Sequence, residues 1–217
     1  MHWYEAEVRE LEQTRPRIAC PVVFYGSSSI RLWPRLDRDG QIVNRGFGGS
    51  TLEACDHFFD RLVVPLSPRS LVIYAGDNDL GDGHSAEQVL TDFRELAGKI
   101  EKQLPGMPFG FISIKLSPAR MGIADRIRRS NELIRKEIEC HPAAYFIPIY
   151  DAMLDEKGIP KREFFLADGL HLNLTGYRLW EQILSSYRNR IFTPLSDDCN
   201  KVQLSLNNSE SGVQKVV

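Results

Sequence analysis

Two hydrophobic periods alternate along this chain, and that alternation restricts the fold more than any other feature. Apolar, β-branched or aromatic runs of strand length stand at 22–25, 42–44, 71–75, 109–114 and 145–149. Between them the period lengthens. Residues 86–104 set Val89, Phe93, Leu96 and Ile100 at three- and four-residue intervals, and 123–140 does the same with Ile127, Leu133, Ile134 and Ile138. A further helical stretch, 174–191, carries Leu174, Tyr177, Leu184 and Tyr187. Strands alternating with helices predict right-handed βαβ units, hence an α/β fold with a parallel sheet covered on both faces. In such open sheets ligands bind beyond the carboxyl ends of the strands, where the strand order reverses.

With 217 residues the chain suits one domain. We expect that domain over 1–192, opened by an amphipathic helix over 1–14 with Trp3, Val8 and Leu11 as apolar anchors. Arg15-Pro16 breaks this helix, and a polar tail follows over 193–217. The formal net charge of -2 argues against a nucleic-acid partner, which selects for a basic excess. No run approaches the roughly 20 apolar residues of a membrane span. The acidic, amphipathic start is not a signal peptide. Cys20, Cys55, Cys140 and Cys199 are far apart and form no CxxC pair, so isolated reduced thiols in a cytoplasmic protein are expected.

Polar, glycine-rich blocks follow three of the strands. After the first comes Gly26-Ser27-Ser28-Ser29, a small-residue turn into a helix. It can cradle a phosphate, present a serine nucleophile, or simply cap a helix. The GxxxxGK[ST] and GxGxxG patterns of nucleotide sites are missing. After the second strand, Gly46-Phe47-Gly48-Gly49 precedes Ser50 and Thr51, which suit the cap of a helix over Leu52–Leu62. A backbone N–H there, that of Gly49, can face a ligand oxygen. After the third strand, Gly76-Asp77-Asn78-Asp79 reads as a turn or as the source of a side-chain amide donor. Near the end, Asp168-Gly169-Leu170-His171 places a carboxylate and an imidazole three residues apart across a tight turn. Such an Asp fixes the tautomer and leaves Nε2 free to accept a hydroxyl proton. No second His or Cys is near enough in sequence to make this a metal site, so no metal is expected. His84 could line the mouth of a site.

In this order the four blocks resemble those of the SGNH hydrolases, the GDSL-like esterase superfamily named for its Ser, Gly, Asn and His blocks. The resemblance runs from about 22 to 187, and its nearest branches are the platelet-activating-factor acetylhydrolases and carbohydrate acetylesterases. It implies a three-layer α/β/α fold with a flavodoxin-like, five-stranded parallel sheet. It further implies Ser28 as nucleophile with Asp168 and His171 completing a triad, and an oxyanion hole from Ser28, Gly49 and Asn78. The sequence departs from the family at Ser27, where GDS carries Asp; Ser27 therefore stands as the alternative nucleophile. The resemblance implies a small-molecule ester as substrate, carrying short acyl groups such as O-acetyl, and no cofactor. Trp33 and Phe47 join His84 as candidate lining residues. The rival reading is a catalytically silent member of the fold that binds a carbohydrate or a partner. Oligomeric state is not legible in the sequence.

Overall fold

A computed structural model describes residues 1–14, 16, 18–37, 40–192 and 199. Five parallel strands, β1 (Val22–Gly26), β2 (Ile42–Gly46), β3 (Ser70–Tyr74), β4 (Phe109–Ile112) and β5 (Ala144–Ile147), form one sheet in the order β2-β1-β3-β4-β5. This is the flavodoxin-like order, with the reversal between β1 and β3. The chain leaves β1 towards β2 on one side and leaves β3 towards β4 on the other, and such a reversal marks where open sheets bind ligands.

Period-two alternation along the strands builds a separate core on each face of the sheet. Val23, Tyr25, Leu71, Ile73, Phe109 and Phe111 point to one side. There they meet α1 (Glu5–Gln13), α3 (Leu52–Leu62), α5 (Ala86–Gln103) and α6 (Ala124–Ile138). Val22, Phe24, Val72, Tyr74 and Ile112 point to the other side, against Ile30 and Trp33, α7 (Leu174–Ser185) and α8 (Arg188–Ile191). Burying each such Val, Leu, Ile or Phe side chain contributes on the order of 1.5–3 kcal/mol. The expected anchors Val89, Phe93, Leu96 and Ile100 form the buried stripe of α5. Ser85 caps that helix, and a reciprocal bond from its own N–H to Gln88 completes a capping box.

Three expectations about elements change. Strand β4 ends at Ile112 instead of 114, because the Asn131 amide takes both the N–H and the C=O of Ile114 that a ladder would have used. The 174–191 stretch is two helices broken at its serines, and its buried stripe is Tyr177, Trp180 and Leu184, while Leu174 is 61% exposed. In the first helix Trp3 is 79% exposed, and the neighbouring Tyr4 supplies the anchor.

The cysteines are also corrected. Cys20 and Cys199 form a disulfide, and only Cys55 and Cys140 remain as thiols. Spacing could not reveal a pairing across a sequence separation of 179. Persistent disulfides belong to oxidising surroundings, so the bridge weighs against the cytoplasmic expectation. Apart from Cys199, the predicted tail lies outside the described residues. Among the described residues no helix is long and apolar enough to cross a membrane.

Candidate active site

Strand β1 ends in a turn that only glycine permits. Gly26 has φ +133°, and a Cβ there would stand 2.0 Å from the carbonyl oxygen of Tyr74. Ser27 then donates its N–H to that same oxygen at 2.9 Å, pressing the turn against β3. Ser28 follows as the first residue of a short helix, α2 (Ser28–Arg31), where its N–H has no intrahelical partner. Tyr177 of α7 anchors this helix from behind by donating its hydroxyl to Ser29 O at 3.0 Å.

Asp168 organises the loop before α7. Its Oδ1 accepts the backbone N–H groups of Leu170 and His171, at 2.8 and 3.0 Å, around Gly169 at φ +68°. Its Oδ2 lies 2.6 Å from His171 Nδ1, and His171 Nε2 lies 3.1 Å from Ser28 Oγ. The imidazole and the Leu170 N–H together hold the Asp168 carboxyl down at about 2, despite some desolvation. Asn173 closes the loop, capping α7 through Thr175 and Gly176 while its amide donates to Glu163 O and Phe165 O.

The other two blocks leave the strands on either side of β1 and are joined to each other. Gly76 at φ +104° turns the chain off β3 into α4 (Asp77–Gly81), and the Asn78 amide donates to Ser50 O at 3.0 Å. Gly49, next to Ser50, lies in an exposed turn at φ +72°, and its N–H donates to nothing among the described residues. Asp79 ties the same elements together, its Oδ1 accepting Leu52 N–H at the start of α3 at 2.9 Å. Burial pushes Asp79 up to about 6, and its Oδ2 has no hydrogen-bond partner.

Beneath α4 lies a buried charged network that no motif or period in the chain announces. Lys115 Nζ sits 2.6 Å from Asp77 Oδ2 and 3.1 Å from Tyr74 Oη, and Arg120 Nε approaches Asp77 Oδ1 at 3.3 Å. Burial opposes the ammonium, but Asp77 and Tyr74 outweigh it and hold Lys115 well above its ordinary range. This network fixes the residue immediately before Asn78. A second unexpected contribution comes from α1 and the turn before it, where Tyr4 and Glu7 bond the Gly48–Gly49 turn. Tyr4 carried a helical-face signal; Glu7 carried none.

Two of the candidate lining residues belong to the core instead. Trp33 is 4% exposed and packs on Phe24, Tyr177 and Trp180, while Phe47 is fully buried against Tyr4, Tyr25 and Phe58. Both are core residues of opposite faces, so they do not line the site. His84 turns its Nδ1 to 3.8 Å from Asp92, in a cluster that also contains Asp79.

This chain is similar to known proteins. The family model for the GDSL-like Lipase/Acylhydrolase family matches residues 24–179. Platelet-activating factor acetylhydrolase IB subunit alpha1 of Bos taurus is 27% identical over 186 residues, covering 79% of this chain and 76% of that protein. A GDSL-like lipase of Bacteroides thetaiotaomicron superposes with a TM-score of 0.67 at 22% identity, over 85% of this chain and 95% of that one. The OSK domain of Drosophila Oskar has the same fold, with a TM-score of 0.68 at 17% identity, over 82% and 94% of the two chains.

Proposed function

Because the chain belongs to the GDSL-like lipase/acylhydrolase family, and is thus a hydrolase acting on esters, we propose that it works as a serine esterase through Ser28, His171 and Asp168. The observation that carries this reading is the continuous chain of contacts from Asp168 Oδ2 to His171 Nδ1 and from His171 Nε2 to Ser28 Oγ. His171 takes the Ser28 proton as Oγ attacks the ester carbonyl, and Asp168 steadies the imidazolium. The tetrahedral oxyanion is met by the N–H groups of Ser28 and Gly49 and by the second amide hydrogen of Asn78, whose first is spent on Ser50. The alcohol leaves with the proton from His171. Water then attacks the acyl-enzyme by the same route, releasing the acid and restoring Ser28. These steps call on protein groups alone.

The substrate we favour carries a short acyl group, such as O-acetyl. The side chains of Asp168 and His171 are 46% and 27% exposed, and Gly49 is exposed as well. A rim this open suits a small acyl group better than a long buried chain. Against a silent binding module stands the presence of nucleophile, base and orienting carboxylate in one contact chain.

Fluorophosphonate labelling followed by peptide mass mapping tests the assignment. Ser28 takes the label, His171→Ala abolishes it, and p-nitrophenyl acetate turns over faster than longer-chain esters. Labelling at Ser27 would transfer the nucleophile role there, and no labelling with no turnover of short aryl esters would sink the esterase reading.

A further inference from the structure

The Gly48–Gly49 turn has no side chains of its own with which to hold a fixed position, yet an oxyanion donor works only when its N–H is accurately placed. We propose that Tyr4 and Glu7 are positioning residues of the active site, through which the amino-terminal helix sets the Gly49 donor in register with Ser28. The inference rests on the esterase reading above.

Glu7 spans the two halves of the site. Its Oε2 accepts the Gly48 N–H at 2.9 Å, and its Oε1 lies 3.3 Å from Arg31 Nη1. Arg31 closes α2, the helix that Ser28 begins. One carboxylate thus joins the helix bearing the nucleophile to the turn bearing the donor. Arg31 also backs the turn sterically, since a Cβ at Gly48 would stand 3.1 Å from its guanidinium. Tyr4 holds the other end of the turn, its hydroxyl donating to Gly49 O at 2.9 Å. The ring behind that hydroxyl is 5% exposed and meets Phe47 and Phe58 edge-on, at centroid distances of 5.3 and 6.1 Å. The Gly48 N–H on one side and the Gly49 carbonyl on the other are therefore both fixed from outside the turn. The Gly49 N–H between them has no partner among the described residues. Displacing a catalytic group by about 1 Å can cost about 100-fold in rate, so loosening either bond should appear in turnover before it appears in binding.

The test uses the full chain and p-nitrophenyl acetate, with thermal midpoints and fluorophosphonate labelling rates measured alongside. Tyr4→Phe and Glu7→Ala should each lower kcat by about 10-fold or more, with KM within about twofold and the fold retained. Glu7→Gln keeps an oxygen for the Gly48 N–H and should recover much of the loss. Arg9→Ala, on the exposed side of the same helix, should leave the kinetics unchanged. Wild-type kcat in both Tyr4→Phe and Glu7→Ala would overturn the proposal while leaving the esterase reading intact. So would losses that merely follow the unfolded fraction, with Glu7→Gln no better than Glu7→Ala. A wild-type protein that neither labels nor turns over substrate removes the esterase reading, and this inference with it.

Discussion

Asp79 shows how much a single buried side chain can be asked to do. One carboxylate oxygen holds the start of α3, and the other is buried without a hydrogen-bond partner. Burial raises its native pKa to about 6 from an ordinary 3.8, so between these values the folded protein binds more protons than the unfolded chain. Stability attributable to this group is therefore full below about 3.8 and falls as pH rises to about 6. Asp79→Asn keeps the acceptor for Leu52 N–H and removes the charge. It should stabilise the protein by about 1–3 kcal/mol at pH 8, with the gain shrinking towards pH 5. Thermal melts at the two pH values check this, and a gain independent of pH would refute it. Asn78, one residue earlier, is an oxyanion donor in the esterase mechanism we propose. Asn78→Ala should lower kcat by about two to three decades in steady-state assays, through the lost amide donor and the released Ser50 carbonyl.

At the scale of elements, the site depends on abrupt exits from strands. Strand β1 must stop and α2 must begin within one residue, Ser27, and Gly26 makes that possible. Gly26→Ala would force a Cβ into the Tyr74 carbonyl and a side chain into a φ region reserved for glycine. We expect a loss of at least about 3 kcal/mol in chemical denaturation, together with impaired labelling of Ser28. Beneath α4, Lys115→Met would leave Asp77 with Arg120 as its remaining cationic partner among the described residues. That should cost about 3 kcal/mol and disturb the residue preceding Asn78, as urea unfolding and kcat would both record.

Across the whole molecule, the disulfide links Cys20, just before β1, to Cys199, which follows α8 in the chain. Thiol titration of native protein should find one reactive group, Cys140, because Cys55 is fully buried. Denaturation without reductant should raise the count to two, and a count of four would refute the bridge. Closing so long a loop is worth about 3–5 kcal/mol, so reduction should lower the thermal midpoint by several degrees.

The sheet was legible in the sequence because its two periods differ, with alternation feeding two cores at Val22–Tyr25-type runs and three- and four-residue spacing marking helices such as α5. The four blocks were legible because backbone turns at Gly26, Gly49, Gly76 and Gly169 need glycine, and those glycines sit beside the polar residues they serve. What pattern could not give is contact between distant residues. Trp33 and Phe47 fall beside the right blocks in sequence, yet their large apolar surfaces are drawn into the two cores. Tyr4 and Glu7 reach Gly49 and Gly48 across more than 40 residues, Lys115 meets Asp77 across 38, and Cys20 meets Cys199 across 179. Hydrogen bonds, ion pairs and disulfides of that range leave no period in the chain; they exist only once packing has fixed which side chains become neighbours.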